Sequence, residues 1–241
     1  MSRVHMMLQG KGGVGKSFAS AMMAQFMADR GEAPLCIDTD PVNQTFAGFE
    51  SLNVKKIALL EGDEINTRNF DAMVELIASS KSDVIVDNGA SCYQPLSHYL
   101  LSNGVPELLF DLGHQVVLHT VVVGGQAMLD TLAGFSSLAK AFPAEVPIVV
   151  WLNPYWGPIE HEGVSFEKMK AYLSNKSRVN ALINIPSMKA ETFGRDLSDL
   201  LQERRAFADA VNDAALPLMV RQRLKQTRDK IFAGMAQAQV F

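Results

Sequence analysis

A glycine-rich segment near the start of the chain leaves few folds open to it. Residues 10–17 read Gly-Lys-Gly-Gly-Val-Gly-Lys-Ser, which satisfies the pattern G-x-x-x-x-G-K-[ST] of phosphate-binding loops. Glycines let the backbone curl so that successive N–H groups point at phosphate oxygens, and a following helix adds the positive end of its dipole. An apolar run precedes the segment and a helical pattern follows it. A nucleotide site is therefore predicted between a strand and a helix.

The expected ligand of this site is ATP together with Mg²⁺. The Lys16 ammonium would reach the β- and γ-phosphates, and the Ser17 hydroxyl would join the Mg²⁺ shell. The nucleotide-binding residues of the segment are accordingly predicted to be Gly10, Lys11, Gly12, Gly13, Val14, Gly15, Lys16, Ser17 and Phe18.

Three aspartates at predicted strand ends complete the expected metal site. Asp87 ends the apolar run 84–86, while Asp38 and Asp40 lie at the end of an earlier run. The carboxyl ends of adjacent parallel strands form the crevice where open α/β sheets bind ligands. Ser17, Asp38 and Asp87 are therefore predicted to hold Mg²⁺. An aspartate at a strand end can also simply cap the next helix, and for Asp38 the sequence leaves both roles open.

Strand and helix patterns alternate along the whole chain, which is typical of a parallel sheet with helices on both faces. We expect an α/β fold of the P-loop NTPase type, with a doubly wound, mostly parallel sheet. Its 241 residues suit a single domain spanning 1–241. Two long helices, about 192–212 and 217–236, are predicted to close the domain. Residues 153–163 are predicted to form a long irregular loop that acts as a lid or binds a partner.

Charge and hydropathy exclude some classes of protein. The net charge of −4 argues against a surface devoted to nucleic acid. The last predicted helix nevertheless carries basic residues that leave non-specific DNA binding open: Arg221, Arg223, Lys225, Arg228 and Lys230. No apolar run is long enough to span a membrane. Because no targeting segment is recognisable, we expect a cytoplasmic protein. Cys36 and Cys92 have no metal or redox spacing.

Residues 11–17 resemble the deviant Walker A motif K-G-G-V-G-K-[ST] of the ParA/MinD family of ATPases. In that family the first lysine of the motif, here Lys11, reaches across a dimer interface to phosphate oxygens of the partner's nucleotide. The resemblance thus implies a nucleotide-dependent homodimer in which Lys11 and Lys16 both serve catalysis.

Other segments extend this resemblance. Residues 38–41 resemble the family's D-x-D-P switch segment, whose second aspartate, here Asp40, positions the attacking water. Asp87 matches the Walker B aspartate. Asn153 and Pro186 match residues that contact the adenine base.

Three further stretches, residues 38–43, 87–91 and 151–163, resemble a family member encoded in plasmid transfer regions. This implies an ATP-binding, slowly hydrolysing dimeric switch that acts in the assembly or positioning of a conjugal-transfer apparatus, with conjugation or relaxosome proteins as partners. The alternative is a metabolic enzyme on the same fold, a small-molecule kinase or ligase. The turn at residues 88–90, Asn-Gly-Ala, departs from the family's usual Thr-Pro-rich turn after Walker B.

Overall fold

The computed structural model describes residues 1–241. Its strands are β1 Ser2–Met7, β2 Leu35–Asp38, β3 Lys55–Lys56, β4 Leu60–Glu61, β5 Glu64–Ile65, β6 Val84–Asp87, β7 His114–Val123, β8 Ile148–Asn153, β9 Glu160–His161, β10 Val164–Ser165 and β11 Val179–Asn184. Its α-helices are α1 Lys16–Asp29, α2 Phe70–Ala78, α3 Tyr93–Ser102, α4 Val105–Asp111, α5 Met128–Ala141, α6 Lys170–Leu173, α7 Arg195–Gln202, α8 Phe207–Val211 and α9 Leu218–Ala238.

Seven strands form one sheet in the order β11-β8-β7-β1-β6-β2-β3. Every neighbouring pair in it is parallel. The predicted α/β class with a parallel, doubly wound sheet is therefore confirmed. The central strand β1 lies between β6 and β7, so the chain leaves it in one direction and later returns on its other side. Ligands of open α/β sheets bind at this kind of switch point.

The apolar side chains pack on both faces of the sheet. One core cluster of 28 buried residues joins α1 and α9 to the first face, and another of 27 joins α2 to α5 to the second. Because the two clusters are nearly equal in size, both faces of the sheet are covered by helices. All four residues of β6 are buried, which explains why this strand is continuously apolar up to its terminal aspartate.

Helix α1 has a glycine with positive φ near each end. It begins at Lys16, directly after Gly15, whose φ of 100° is left-handed. It ends before Gly31, which has φ 81° and donates its N–H to the Ala28 carbonyl. Glycine adopts positive φ without steric cost, which suits it to stop a helix.

The predicted helix 192–212 is wrong as a single element. The structure has a π-turn at Ala190–Gly194, then α7, a break and α8. At the break, Arg204 has φ 52° and the Arg205 guanidinium donates to the Asp213 carboxylate at 2.8 Å. The Phe207 N–H donates to the Gln25 side chain of α1 at 2.7 Å. These tertiary contacts override a helical pattern that is continuous in the sequence.

The predicted irregular loop 153–163 also contains more structure than expected. It begins with a 3₁₀ turn at Pro154–Trp156, which we call the aromatic turn. It ends in the antiparallel hairpin of β9 and β10. Glu162 and Gly163 connect these strands with φ of 50° and 76°, as a two-residue hairpin turn of the primed type requires.

Two of the five basic residues on α9 are paired within the chain. Arg223 binds Asp196, and Arg228 binds Asp229. The expected basic surface is therefore smaller than the sequence suggests. None of the helices combines the length and the apolarity needed to cross a membrane.

Candidate nucleotide-binding site

The glycine-rich segment forms a loop between β1 and α1 at the carboxyl end of the sheet. Gly13 and Gly15 have φ of 72° and 100°, a region that other residues adopt only at a cost. A Cβ atom on Gly15 would lie 2.8 Å from the Asn153 side-chain nitrogen. Both backbone conformation and close packing therefore require glycine at Gly15.

Lys16 lies inside this loop. Its side chain is buried, and its Nζ donates to the Lys11 carbonyl at 2.9 Å. Burial lowers the pKa of Lys16, while the charges of Asp87 and Asp40 act in the opposite direction. The ammonium is thus held inside the loop, near the carboxylates of Asp87 and Asp40. Phosphate oxygens of a bound nucleotide would further compensate its charge.

Asp87 is fully buried at the end of β6. Its Oδ1 accepts a hydrogen bond from the Ser20 hydroxyl at 2.9 Å, and its Oδ2 has no partner. Burial raises the pKa of Asp87 to about 7, and the Asp38 charge adds to this, whereas the nearby Ser17 hydroxyl, the Ser20 hydrogen bond and the Lys16 charge oppose it. An unpartnered carboxylate oxygen beside the Ser17 hydroxyl fits a hard cation.

The protein does not enclose a metal ion by itself. No group of three or more His, Cys, Asp or Glu side chains is placed to hold one. Mg²⁺ commonly binds through one or two protein ligands, several waters and the phosphates of a nucleotide. The donor set of Ser17 and Asp87 fits that mode of binding.

We expect Asp87→Asn to change how stability depends on pH. A folded-state pKa raised from 3.8 to about 7 means that the folded protein binds an extra proton between these values, so stability falls as pH rises through this range. Without nucleotide, wild type and variant should be similarly stable near pH 4, and the variant more stable at pH 8. Urea unfolding from pH 4 to 8 measures this. Parallel curves for the two proteins would contradict the assigned burial of the charge.

Asp38 and Asp40 shape the segment after β2. The two Asp38 oxygens accept the backbone N–H groups of Asp40 and Ala47 at 2.8 and 2.9 Å. Burial raises the pKa of Asp38, and these two bonds oppose the rise. Asp40 uses one oxygen, Oδ1, to accept from the Val42 and Asn43 N–H groups at 2.9 and 3.1 Å. Asp38 therefore holds the loop, while Asp40 keeps its Oδ2 for other contacts.

A cavity of about 600 Å³ opens beside the phosphate loop. Five residues predicted to bind the nucleotide line it: Gly13, Gly15, Phe18, Asn153 and Pro186. Helix α7, which the sequence did not associate with the site, contributes five further lining residues: Arg195, Leu197, Ser198, Leu201 and Gln202. A periodic pattern places these residues on a helix but gives no sign of which cavity the helix borders.

The aromatic turn is fixed to the phosphate loop. The Asn153 amide donates to the Val14 carbonyl at 2.9 Å, and the Trp156 indole N–H to the Gly13 carbonyl at 3.4 Å. A Cβ on Gly124 would lie 2.3 Å from the Gly157 carbonyl oxygen, so the chain approaches β7 closely here. Tyr155 and Trp156 remain 72% and 58% exposed, so both rings face outward.

Lys11 points away from the phosphate cradle of its own chain. Its Nζ donates to the Asp130 carboxylate of α5 at 2.7 Å. Both side chains are largely exposed, at 44% and 59%. The two lysines of the loop therefore differ, because Lys16 is turned inward and Lys11 lies on the surface.

Fold and site together define a P-loop nucleotide-binding protein. The chain belongs to the CbiA family, the CobQ/CobB/MinD/ParA nucleotide binding domain, whose profile matches residues 5–218. The predicted membership of the ParA/MinD family is thus confirmed. Two Escherichia coli relatives, each called Protein TraL, are 60% identical to it over 240 residues and match 100% of both chains.

Solved structures share the fold at low sequence identity. The MinC:MinD cell division protein complex of Aquifex aeolicus matches with a TM-score of 0.56 and 16% identity over 96% of each chain. MinD of Pyrococcus horikoshii, complexed with Mg-ADP, matches with a TM-score of 0.54 and 14% identity over 100% of each chain.

Proposed function

We propose that this protein is an ATP-binding, slowly hydrolysing ATPase that works as a nucleotide-dependent dimer, in the assembly or positioning of a plasmid conjugal-transfer apparatus. The Lys16 ammonium inside the phosphate loop and the buried Asp87 at the end of β6 support ATP·Mg²⁺ binding. The 60% full-length identity to the TraL proteins supports the conjugal setting. Conjugation or relaxosome proteins are the partners that this setting suggests.

The position of Lys11 is the observation that carries the dimer proposal. Its ammonium pairs with Asp130 on an exposed surface, and the inward-facing Lys16 already serves the chain's own nucleotide. A second ATP presented by another subunit would offer phosphate oxygens to Lys11, in the manner of the family. An exposed ion pair contributes no more than about 1 kcal/mol, so exchanging Asp130 for phosphate is not costly.

Each residue of the site has a defined task in this proposal. Lys16 and the loop N–H groups bind and orient the phosphates. Ser17 and Asp87 would hold Mg²⁺, which would supply positive charge to stabilise the phosphates. Asp40 orients the attacking water through its Oδ2. Phe18, Asn153 and Pro186 line the cavity beside the loop, where the base would lie.

The contacts of residues 153–163 disfavour a small-molecule kinase or ligase. Such an enzyme needs cationic groups in a lid over its second substrate, and this segment contains neither arginine nor lysine. Its aromatic turn is also bound to the phosphate loop.

Any surface for non-specific DNA binding on α9 would be small. With Arg223 and Arg228 paired, Lys225 and Lys230 are the exposed cations of α9 that could meet DNA phosphates.

We expect Lys11→Ala to bind ATP nearly as well as wild type but to stay monomeric and hydrolyse it poorly. Light scattering with ATP and with ADP, at concentrations well above the nucleotide Kd, measures the dimer. Asp130→Ala is the matched control, since it removes the same ion pair but keeps the lysine and should still dimerise. A wild type that is monomeric in both nucleotides would overturn the dimer proposal.

A further inference from the structure

Asn88 is a buried polar residue whose side chain has no partner. It follows Asp87 at the end of β6 and is 1% exposed, and neither its Oδ1 nor its Nδ2 makes a hydrogen bond. A carboxamide offers two donors and an acceptor, and burying them unpaired is costly. Of the eight such unpaired buried atoms in the protein, three belong to the adjacent Asp87 and Asn88. The orphaned groups are thus concentrated at this one strand end.

The residues around Asn88 belong to the nucleotide site. On one side, Asp87 is bound by Ser20 and has its Oδ2 free. On the other, a Cβ on Gly89 would lie 2.7 Å from the Asp40 carboxyl carbon. The next residue, Ala90, would lie 3.8 Å from a Cβ on Gly12 of the phosphate loop. The segment that carries Asn88 therefore runs from the proposed metal-holding aspartate to the proposed water-orienting one.

Buried polar groups without protein partners are usually satisfied by bound water or a ligand. A carboxamide is suited to binding water. Its oxygen can accept a hydrogen bond from the water, and its NH₂ group can donate one to the water oxygen. It carries no charge, so it adds nothing to the repulsion between Asp87 and the phosphates.

We propose that Asn88 is a positioning residue for ATP hydrolysis, holding the water that links the Asp87 metal position to Asp40. This rests on the proposed ATPase function. Because Asn88 acts through this water, its role lies in turnover rather than in nucleotide affinity. Asn88 begins the turn at residues 88–90, which stands where the family usually has a Thr-Pro-rich turn after Walker B.

The test compares three variants for ATP affinity, steady-state hydrolysis and thermal unfolding without nucleotide. Asn88→Ala should keep the ATP Kd within about twofold and lower kcat at least tenfold, without a lower unfolding temperature. Asn88→Ser, whose hydroxyl also donates and accepts, should recover much of kcat. Ser97→Ala is the matched control, because it removes another unpaired buried oxygen, on α3, and should leave kcat unchanged.

Failure of this inference is distinct from failure of the proposed function. If Asn88→Ala hydrolyses ATP at the wild-type rate, or loses stability and turnover together with no rescue by serine, Asn88 is only structural and the inference is wrong. If the wild type binds no ATP or hydrolyses none, the proposed ATPase function fails in the wild type itself, and the inference falls with it.

Discussion

Replacing Lys16 by alanine should lower the affinity for ATP at least tenfold, or about 1.4 kcal/mol. The Lys16 ammonium is buried in the loop, held by the Lys11 carbonyl at 2.9 Å and near the charges of Asp87 and Asp40. Charge-assisted bonds to phosphate are strong in such a setting. Without the ammonium, a tetra-anionic nucleotide would face two carboxylates with one cation fewer. Titration with a fluorescent ATP analogue in the presence of Mg²⁺ measures the loss.

The same loop provides the control for this experiment. Lys11→Ala removes an equal charge five residues away, but from the surface, and should leave the affinity nearly unchanged. Thermal unfolding without nucleotide verifies that Lys16→Ala is folded, which we expect because the substitution removes a buried charge. Wild-type affinity in a folded Lys16→Ala protein would refute the assignment of the phosphate loop.

The parts of the site that follow from sequence are those made by local pattern. The loop from Gly10 to Ser17 is contiguous, and its turn depends on glycines at fixed spacing. Asp87 ends an apolar strand and Asp40 follows another by two residues. Both could be placed near the site from sequence, because parallel strands align their carboxyl ends. The fold class follows for the same reason, from the alternation of strand and helix periods.

The features that sequence did not predict depend on contacts between distant residues. Lys11 pairs with Asp130, and Trp156 donates to Gly13, across 119 and 143 positions. The periodicity of apolar residues gives no information on such pairs. It likewise could not show that α7 borders the cavity, because a helical pattern specifies a buried face but not the neighbour of that face.

The interior also contains contacts between distant residues that the sequence pattern does not reveal. His119 lies in a hydrogen-bonded chain between His5 and the Trp151 indole, at 2.9 and 3.0 Å. Burial lowers the pKa of His5 to about 3 and that of His119 well below its ordinary value. Both rings are therefore neutral at physiological pH, as members of the core rather than of the site.

Asp40→Ala should retain ATP but lose hydrolysis, by about a hundredfold or more. The phosphate loop and Lys16 remain intact in this variant, so binding energy is kept. The variant loses the Asp40 Oδ2, the carboxylate oxygen that would orient the water. This oxygen makes no bond within the loop, because only Oδ1 accepts the Val42 and Asn43 N–H groups. Phosphate release under saturating ATP, together with the nucleotide titration, separates the two effects.

A second substitution distinguishes chemistry from loop structure. Asp40→Asn keeps an oxygen that can accept the same two N–H groups, so the segment after β2 should hold its shape, but the negative charge that orients water is gone. We expect Asp40→Asn to be as inactive as Asp40→Ala while unfolding at a temperature closer to that of wild type. If asparagine instead restores turnover, Asp40 serves only to shape the loop. The water would then be oriented by a carboxylate of another residue. Asp38 could do this only by giving up a hydrogen bond, because both of its oxygens accept backbone N–H groups.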